Sequence, residues 1–291
     1  MAEVLSMLGY KEGGGIAILV LVLTLILCRK KQRECHPDSK TSSDMDEPLV
    51  VLYQIGRGPH APSPSPFPVK LETFLRMAKI PYMNDHSAKF SSKGKTPWIE
   101  YRGVKIEDSQ LAIDYLSREL GIDVNAKLKP EERATARAFQ KMTEENLYWS
   151  MCAVTFSEDL DPLRSVLPYT GFQTVAGHKT LQRTIRKEMW GHGIGRHSPQ
   201  DIWTIGKADI TALSDFLGDK EFFMGDHPTE VDCTVFGMVS QMIWHMPGSP
   251  HEIFVKEKCP NLVSFCGRMK EKFWPDWESC ITTGKTFNGN N

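Results

Sequence analysis

Apolar and polar positions follow three different rhythms along this chain. The first is a solid apolar block: Ile16 to Cys28 reads IAILVLVLTLILC, with Thr24 its only polar residue, and Arg29, Lys30, Lys31 and Arg33 follow at once. As a helix that block reaches about 20 Å, and about 24 Å with Gly13 to Gly15, short of the ~30 Å hydrocarbon core of a bilayer. A cleaved signal, a retained anchor and a buried core helix all use apolar runs of this size. A cleaved signal carries cations before the run and small residues after it. Here only Lys11 precedes, beside Glu12, and a basic cluster stands where a cleavage site would be. The flanks therefore predict a retained single-pass transmembrane anchor at residues 16–28. Short loops rich in Lys and Arg stay cytoplasmic, so residues 1–15 are expected across the membrane and the folded domains in the cytosol. Cys28 and Cys35 flank the basic cluster, where palmitoylated cysteines and ordinary ones both occur. Residues 29–48 are rich in charge, Ser and Asp, have almost nothing to bury, and read as a flexible tether.

The second rhythm is that of a small α/β layer. Leu49 to Ile55 (LVVLYQI) is a compact run of strand length, followed by a Pro/Ser-rich loop from Gly56 to Pro68. Phe67, Leu71, Phe74, Leu75 and Ala78 recur at helical spacing, with Ser65 placed as an N-cap and Pro66 as the first helical residue. Ile80 to Met83 has the length of a second short strand. Pro97 to Tyr101 and Val104 to Ile106 bracket Arg102-Gly103 as a hairpin, and Leu111, Ala112, Tyr115 and Leu116 continue as an amphipathic helix to Gly121. From Pro130 the third rhythm is helical, with no convincing strand. The pattern predicts an α/β domain over 49–121, an all-α domain over 130–280 and a tail over 281–291. Thr229 and Asp232, ahead of Val235, Phe236, Met238 and Val239, form a capping-box pattern with Asp in the usual Glu position, a structural feature.

Composition narrows the function classes. With 291 residues, 41% hydrophobic and 24% charged, the chain can bury one or two ordinary cores. A net charge of -1 leaves no surplus of cations for a phosphate backbone, which argues against nucleic acid as a partner. The seven cysteines are scattered, and no two have Cys-x-x-Cys spacing, so neither a disulfide framework nor a zinc knuckle is indicated. His192 and His197 sit in a Gly-rich stretch without HExxH or a Cys/His cluster, so no metal site is expected. Gly191-x-Gly193-x-Gly195 follows a helical pattern, not a strand, and is no dinucleotide fingerprint. Pro59-His60-Ala61-Pro62, after Arg57, weakly matches an SH3-type ligand, and ordinary loop proline explains it equally well.

Four stretches resemble the glutathione transferase superfamily, and a fifth resembles the membrane-anchored failed axon connections branch within it, related to metaxins. Ser65-Pro66-Phe67 through Ile80 resembles the first helix of its thioredoxin-like domain. Lys95-Thr96-Pro97-Trp98 resembles the strand that carries the family's cis-proline, and Glu107-Asp108-Ser109 resembles its acidic-Ser helix start. Phe223-Met224-Gly225-Asp226, running into Thr229 and Asp232, resembles the capping box of the helical domain, and Gly191 to His197 is similar to a segment of the failed axon connections branch. The resemblance implies a thioredoxin-like N-terminal domain, an all-α transferase-like C-terminal domain, glutathione as the ligand, and a role in axonal development. It leaves the protein partners unknown and a homodimer open.

What chemistry requires can be set against these residues. A thiol with pKa ~8.5 is mostly protonated at neutral pH, so conjugation needs a hydroxyl donor and a helix N-terminus to hold the thiolate. Ser65 is the candidate, against its plain reading as a cap; Ser63 is a weaker alternate. Tyr53 lies inside the apolar strand run and is a poor candidate. By resemblance, Thr96 and Pro97 offer backbone groups to a peptide-like ligand, although residues alone would leave that bond trans. Asp108 would face the γ-glutamyl amine and Ser109 its carboxylate; each could equally be a cap. The loop from Tyr53 to Ser65 is longer and richer in proline than a typical transferase turn. The reading preferred on these grounds is a membrane-tethered interaction protein, and the alternative is a membrane-tethered transferase that uses Ser65.

Overall fold

A computed structural model describes residues 49–159, 161–167 and 172–282. The expected anchor at 16–28, the segments 1–15 and 29–48, Cys28, Cys35 and the tail beyond Thr282 lie outside the described residues. Among the described residues, no helix is long and apolar enough to cross a membrane.

β1 (Val50–Tyr53) is the centre from which the sheet is built. It pairs parallel with β2 (Tyr82–Asp85) on one side and antiparallel with β3 (Trp98–Tyr101) on the other. β4 (Val104–Glu107) completes the order β2-β1-β3-β4. The predicted hairpin is present, with Arg102 at φ 51° and Gly103 at φ 76°, the left-handed pair that a two-residue turn requires. Leu52 pairs with Ile99 and Tyr53 with Trp98, so alternate residues divide between the two faces. Val50, Leu52, Ile99 and Tyr101 face a layer made by α1 (Pro66–Met77) and α2 (Ser109–Leu120), where Leu71, Phe74, Ile113 and Leu116 close the core. α2 ends at Gly121, whose φ of 65° fits the left-handed C-cap. Tyr53, on the other face, stacks flat on Trp98 at 3.8 Å.

The remainder is helical. α3 (Pro130–Met142) runs through a π turn, Thr143–Leu147, into α4 (Tyr148–Thr155). α5 (Asp161–Val166), α6 (Phe172–His192), a 3-10 turn at Ile194–Arg196 and α7 (Pro199–Leu217) follow. α8 (Glu230–Ser240) then passes through a second π turn, Gln241–His245, before α9 (Pro250–Lys258), α10 (Pro260–Phe273) and a 3-10 turn at Trp277–Cys280. α8 is the buried axis: Val235, Phe236 and Val239 pack with Ile210, Phe223 and Phe265. Its start is the predicted capping box. Asp232 accepts the Thr229 N–H at 2.7 Å, the Thr229 hydroxyl at 2.8 Å and the Phe223 N–H at 2.7 Å. One carboxylate thus holds the helix start and the turn before it.

The two layers meet where α8 crosses α1. A Cβ on Gly237 would stand 2.7 Å from the Pro66 carbonyl oxygen, so only glycine permits this approach. Beside it, the buried Lys70 ammonium bonds Glu144 of the first π turn and, at 2.5 Å, Gln110 Oε1 of α2. Gln110 in turn donates to Glu230 Oε1 at 2.6 Å. A charge taken out of water is tolerable only when partnered in this way.

Candidate functional site

The N-termini of α1 and α2 open into one cavity of about 810 Å³ between the sheet end and the helical layer. Ser65, Thr96, Pro97, Asp108 and Ser109, the five sequence-derived candidates, all line it. The walls opposite come from the first π turn, α4, α5 and α6, with Tyr148, Trp149, Met151, Leu163, Val166 and Ile185. One half is therefore polar, lined by Ser65, Thr96, Asp108 and Ser109 at two helix starts. The other half is aromatic and aliphatic.

Ser65 occupies the N-cap position in extended backbone, φ -116° and ψ 138°, yet its side chain makes no capping bond. A Ser cap here bonds the N–H of the third helical residue, as Ser198 and Ser249 do, and Pro68 in that position has none, so the Ser65 hydroxyl is left to the cavity. Ser63 is excluded as the alternate: it is buried, its hydroxyl accepts the Ser65 N–H at 3.3 Å, and its carbonyl accepts Gln241 Nε2 at 3.2 Å. Thr96-Pro97 is a cis peptide, and the Thr96 hydroxyl donates to the Tyr53 carbonyl at 3.3 Å. Tyr53 itself is not among the cavity's lining residues.

Asp108 does two things at once. One oxygen, Oδ1, caps α2 by accepting the N–H groups of Gln110 at 2.8 Å and Leu111 at 3.1 Å. Its backbone stands at φ 92°, in the left-handed half of the map, at a cost of order 1–3 kcal/mol for a residue with a side chain. Oδ2 makes no hydrogen bond among the described residues, and neither does the nearly buried Ser109 hydroxyl. A free carboxylate oxygen can accept from an ammonium, and a free hydroxyl can donate to a carboxylate.

The proline-rich loop lines the cavity through Gly56 and Pro64, near its two ends, and is held by its own contacts. Arg57 donates to both oxygens of Glu72 at 2.8 and 3.0 Å and to the Pro62 carbonyl, and Gly58 accepts the Thr282 N–H at 2.9 Å. Burial alone would raise the Glu72 carboxyl. Arg57, with Gln54 and Asn84, instead brings it below the usual carboxylate range. Pro59, Ala61 and Pro62 are buried, so the SH3-type reading is corrected: the loop's own packing uses the prolines and the arginine.

Three further cavity groups escaped the sequence. Tyr148 meets Phe67 of α1 edge-on at 4.9 Å, and burial pushes its hydroxyl well above the ordinary value. Cys152 is pushed up to about 12 by burial, so this thiol stays protonated. His245 is pushed down to about 4 by burial, and its Nε2–H donates to the Val166 carbonyl at 3.2 Å. No local pattern marks these three, because the helical layer brings them to the cavity from far along the chain. His192, from the Gly-rich stretch, lies against Trp149 at 5.2 Å.

Two family models match, the glutathione S-transferase N-terminal domain at residues 66–161 and the glutathione S-transferase C-terminal domain at 206–269. Failed axon connections of Drosophila melanogaster is 34% identical over 263 residues, which are 84% of this chain and 62% of that one. The chain thus spans about six tenths of that relative's length. Isoprene-epoxide–glutathione S-transferase of Rhodococcus sp. (strain AD45) is 29% identical over 77% of this chain and 99% of its own. Metaxin-2 of Mus musculus is 21% identical over 78% of this chain and 90% of its own. A glutathione S-transferase of Ceriporiopsis subvermispora, solved with glutathione, shares the fold at a TM-score of 0.55 and 18% identity, covering 77% of this chain and 97% of that one. The chain therefore belongs to the metaxin-like glutathione transferase superfamily, as a homologue of Failed axon connections.

Proposed function

We propose that this chain is a membrane-anchored glutathione-binding protein of the transferase fold that acts as a binding and interaction module. One observation carries the reading: the free groups of Ser65, Asp108 and Ser109 share one cavity at two helix N-termini. The single-pass anchor at 16–28, with the folded domains in the cytosol, rests on the apolar run and its basic flank. The kinship with Failed axon connections supports adding a role in axonal development to this reading. The test is calorimetric titration of residues 46–291 with glutathione. Saturable binding weakened by Ser109→Ala supports the module, and heat indistinguishable from dilution would refute it.

The second reading is a transferase in which Ser65 stabilises the glutathione thiolate. Its support is the uncapped Ser65 hydroxyl, together with the kinship to an isoprene-epoxide transferase, which suggests epoxides as the electrophile class. In that chemistry the thiolate sulfur attacks a ring carbon, the C–O bond breaks, and the alkoxide takes a proton from solvent. The residues of this chain would orient the thiol and hold its charge at the start of α1, which is positioning rather than covalent work. Turnover with an epoxide that collapses in Ser65→Ala at unchanged glutathione affinity would promote this reading over the first.

A further inference from the structure

The outward face of α6 carries a cationic row that neither the fold nor the cavity uses. Leu181, Thr184, Ile185 and Glu188 turn toward the cavity at helical spacing. At about 100° per residue, Lys179, Arg183, Arg186, Lys187 and Trp190 fall on the opposite side, and all five are exposed. Trp190 is 60% exposed, an unusual place for an indole. Arg196 extends the row: its guanidinium lies 5.6 Å from the Trp190 ring, and its Nε donates to the Trp190 carbonyl at 3.2 Å. Arg186 alone is paired, with Glu158 at 3.4 Å. Lys179, Arg183, Lys187 and Arg196 make no ion pair among the described residues. Because the whole chain has a net charge of -1, this row is a segregation of charge, not a general basicity.

We infer that this face of α6 docks on an anionic lipid bilayer. The cations would meet headgroup phosphates and carboxylates, and the Trp190 ring would sit at headgroup level, where an apolar body with one N–H is best accommodated. The row is straight and about 17 Å long on a convex helix, which suits a flat anionic surface better than a phosphate strand that needs a groove. The inference goes beyond the proposed anchor, since peripheral docking needs no span, and it is tested without residues 16–28.

The test is co-sedimentation of residues 46–291, which contain all three apolar clusters of the described fold, with lipid vesicles. Vesicles of phosphatidylcholine alone are compared with vesicles in which about a third is phosphatidylserine, at low and physiological salt. Binding is expected only with phosphatidylserine and should weaken with salt. Each basic residue near such a surface is worth about fivefold, so the triple variant K179E/R183E/K187E should bind on the order of 10²-fold more weakly. Trp190→Ala should weaken binding by itself. A thermal melt checks the fold of each variant, and K179Q/R183Q/K187Q replaces the charge reversal if that one unfolds. Equal binding to both vesicle types, or an undiminished triple variant, would overturn the inference. So would tight single-stranded RNA binding through the same row without vesicle binding.

Discussion

Arg57 of the proline-rich loop clamps both carboxylate oxygens of Glu72, which lies one turn and a half into α1, at 2.8 and 3.0 Å. Glu72 also accepts from Gln54, Tyr82 and Asn84, so one buried carboxylate ties the end of β1, the loop, α1 and β2 together. The loop's position beside the cavity is thus set by a charge pair, not by proline stiffness alone. Replacing Glu72 by Gln leaves Arg57 without its counter-charge. Expected is a loss of about 3 kcal/mol in unfolding free energy and faster amide exchange across residues 56–65. Exchange unchanged in that loop would show that the clamp is not what holds it.

Asp232 is fully buried and accepts three hydrogen bonds at the start of α8. Asp232→Ala strands two N–H groups and a hydroxyl, and should cost at least ~1 kcal/mol, more than a surface cap because the donors are dry. Glutathione affinity per folded molecule should stay the same. A melting temperature equal to wild type would refute the assignment.

Asp108 caps α2 with one oxygen and offers the other to the cavity, and Asn can perform the first role but not the second. Asn also tolerates the left-handed backbone at φ 92°. Asp108→Asn should therefore leave the melting temperature within a degree or so of wild type while glutathione binding weakens about tenfold, the loss of one charge-assisted contact. Equal loss of stability and binding would mean that Asp108 is only a cap.

His251 of α9 is buried and bonds the Ser150 hydroxyl through Nε2 at 3.0 Å; that hydroxyl itself donates to the Leu147 carbonyl, so Nε2 carries the proton. Burial pushes this histidine down to about 4, below the ~6.5 of the unfolded chain. The neutral ring contributes stability that is fully present above pH ~6.5 and is lost as pH falls toward 4. Between pH ~7.5 and ~5 this one group should remove roughly 2 kcal/mol. Denaturant unfolding at the two pH values measures it: His251→Asn should lose that much less than wild type, whatever the other groups do. Identical pH slopes would show that His251 titrates normally.

Close packing behind His251 gives a related expectation. A Cβ on Gly206 of α7 would stand 2.3 Å from the Ser150 hydroxyl oxygen and 3.5 Å from His251 Nε2. Gly206→Ala, although favourable for an isolated helix, should lower stability by about 1–3 kcal/mol through overpacking. A higher melting temperature would contradict so close an approach of α7 to α4.

Much of the architecture was legible in residue order because it rests on short-range physics. The hairpin at Arg102-Gly103, the helix stop at Gly121 and the box at Thr229 and Asp232 each depend on residues within four positions of one another. The α/β layer followed by an all-helical layer could be read from the change in apolar spacing, and the transferase resemblance rested on motif order. Tertiary structure alone decided the chemistry of those motifs. Ser65 looks like a cap in sequence, and only its backbone and surroundings leave its hydroxyl to the cavity. Nothing near Lys70 in sequence marks Glu144, 74 residues away, as its buried partner. The proline-rich loop matches a peptide ligand as well as an ordinary loop until Glu72 and Thr282 tie it into the fold's own packing. Caps and turns are encoded by neighbours, whereas burial, pairing and cavity shape arise from chain segments that meet only when the whole fold closes.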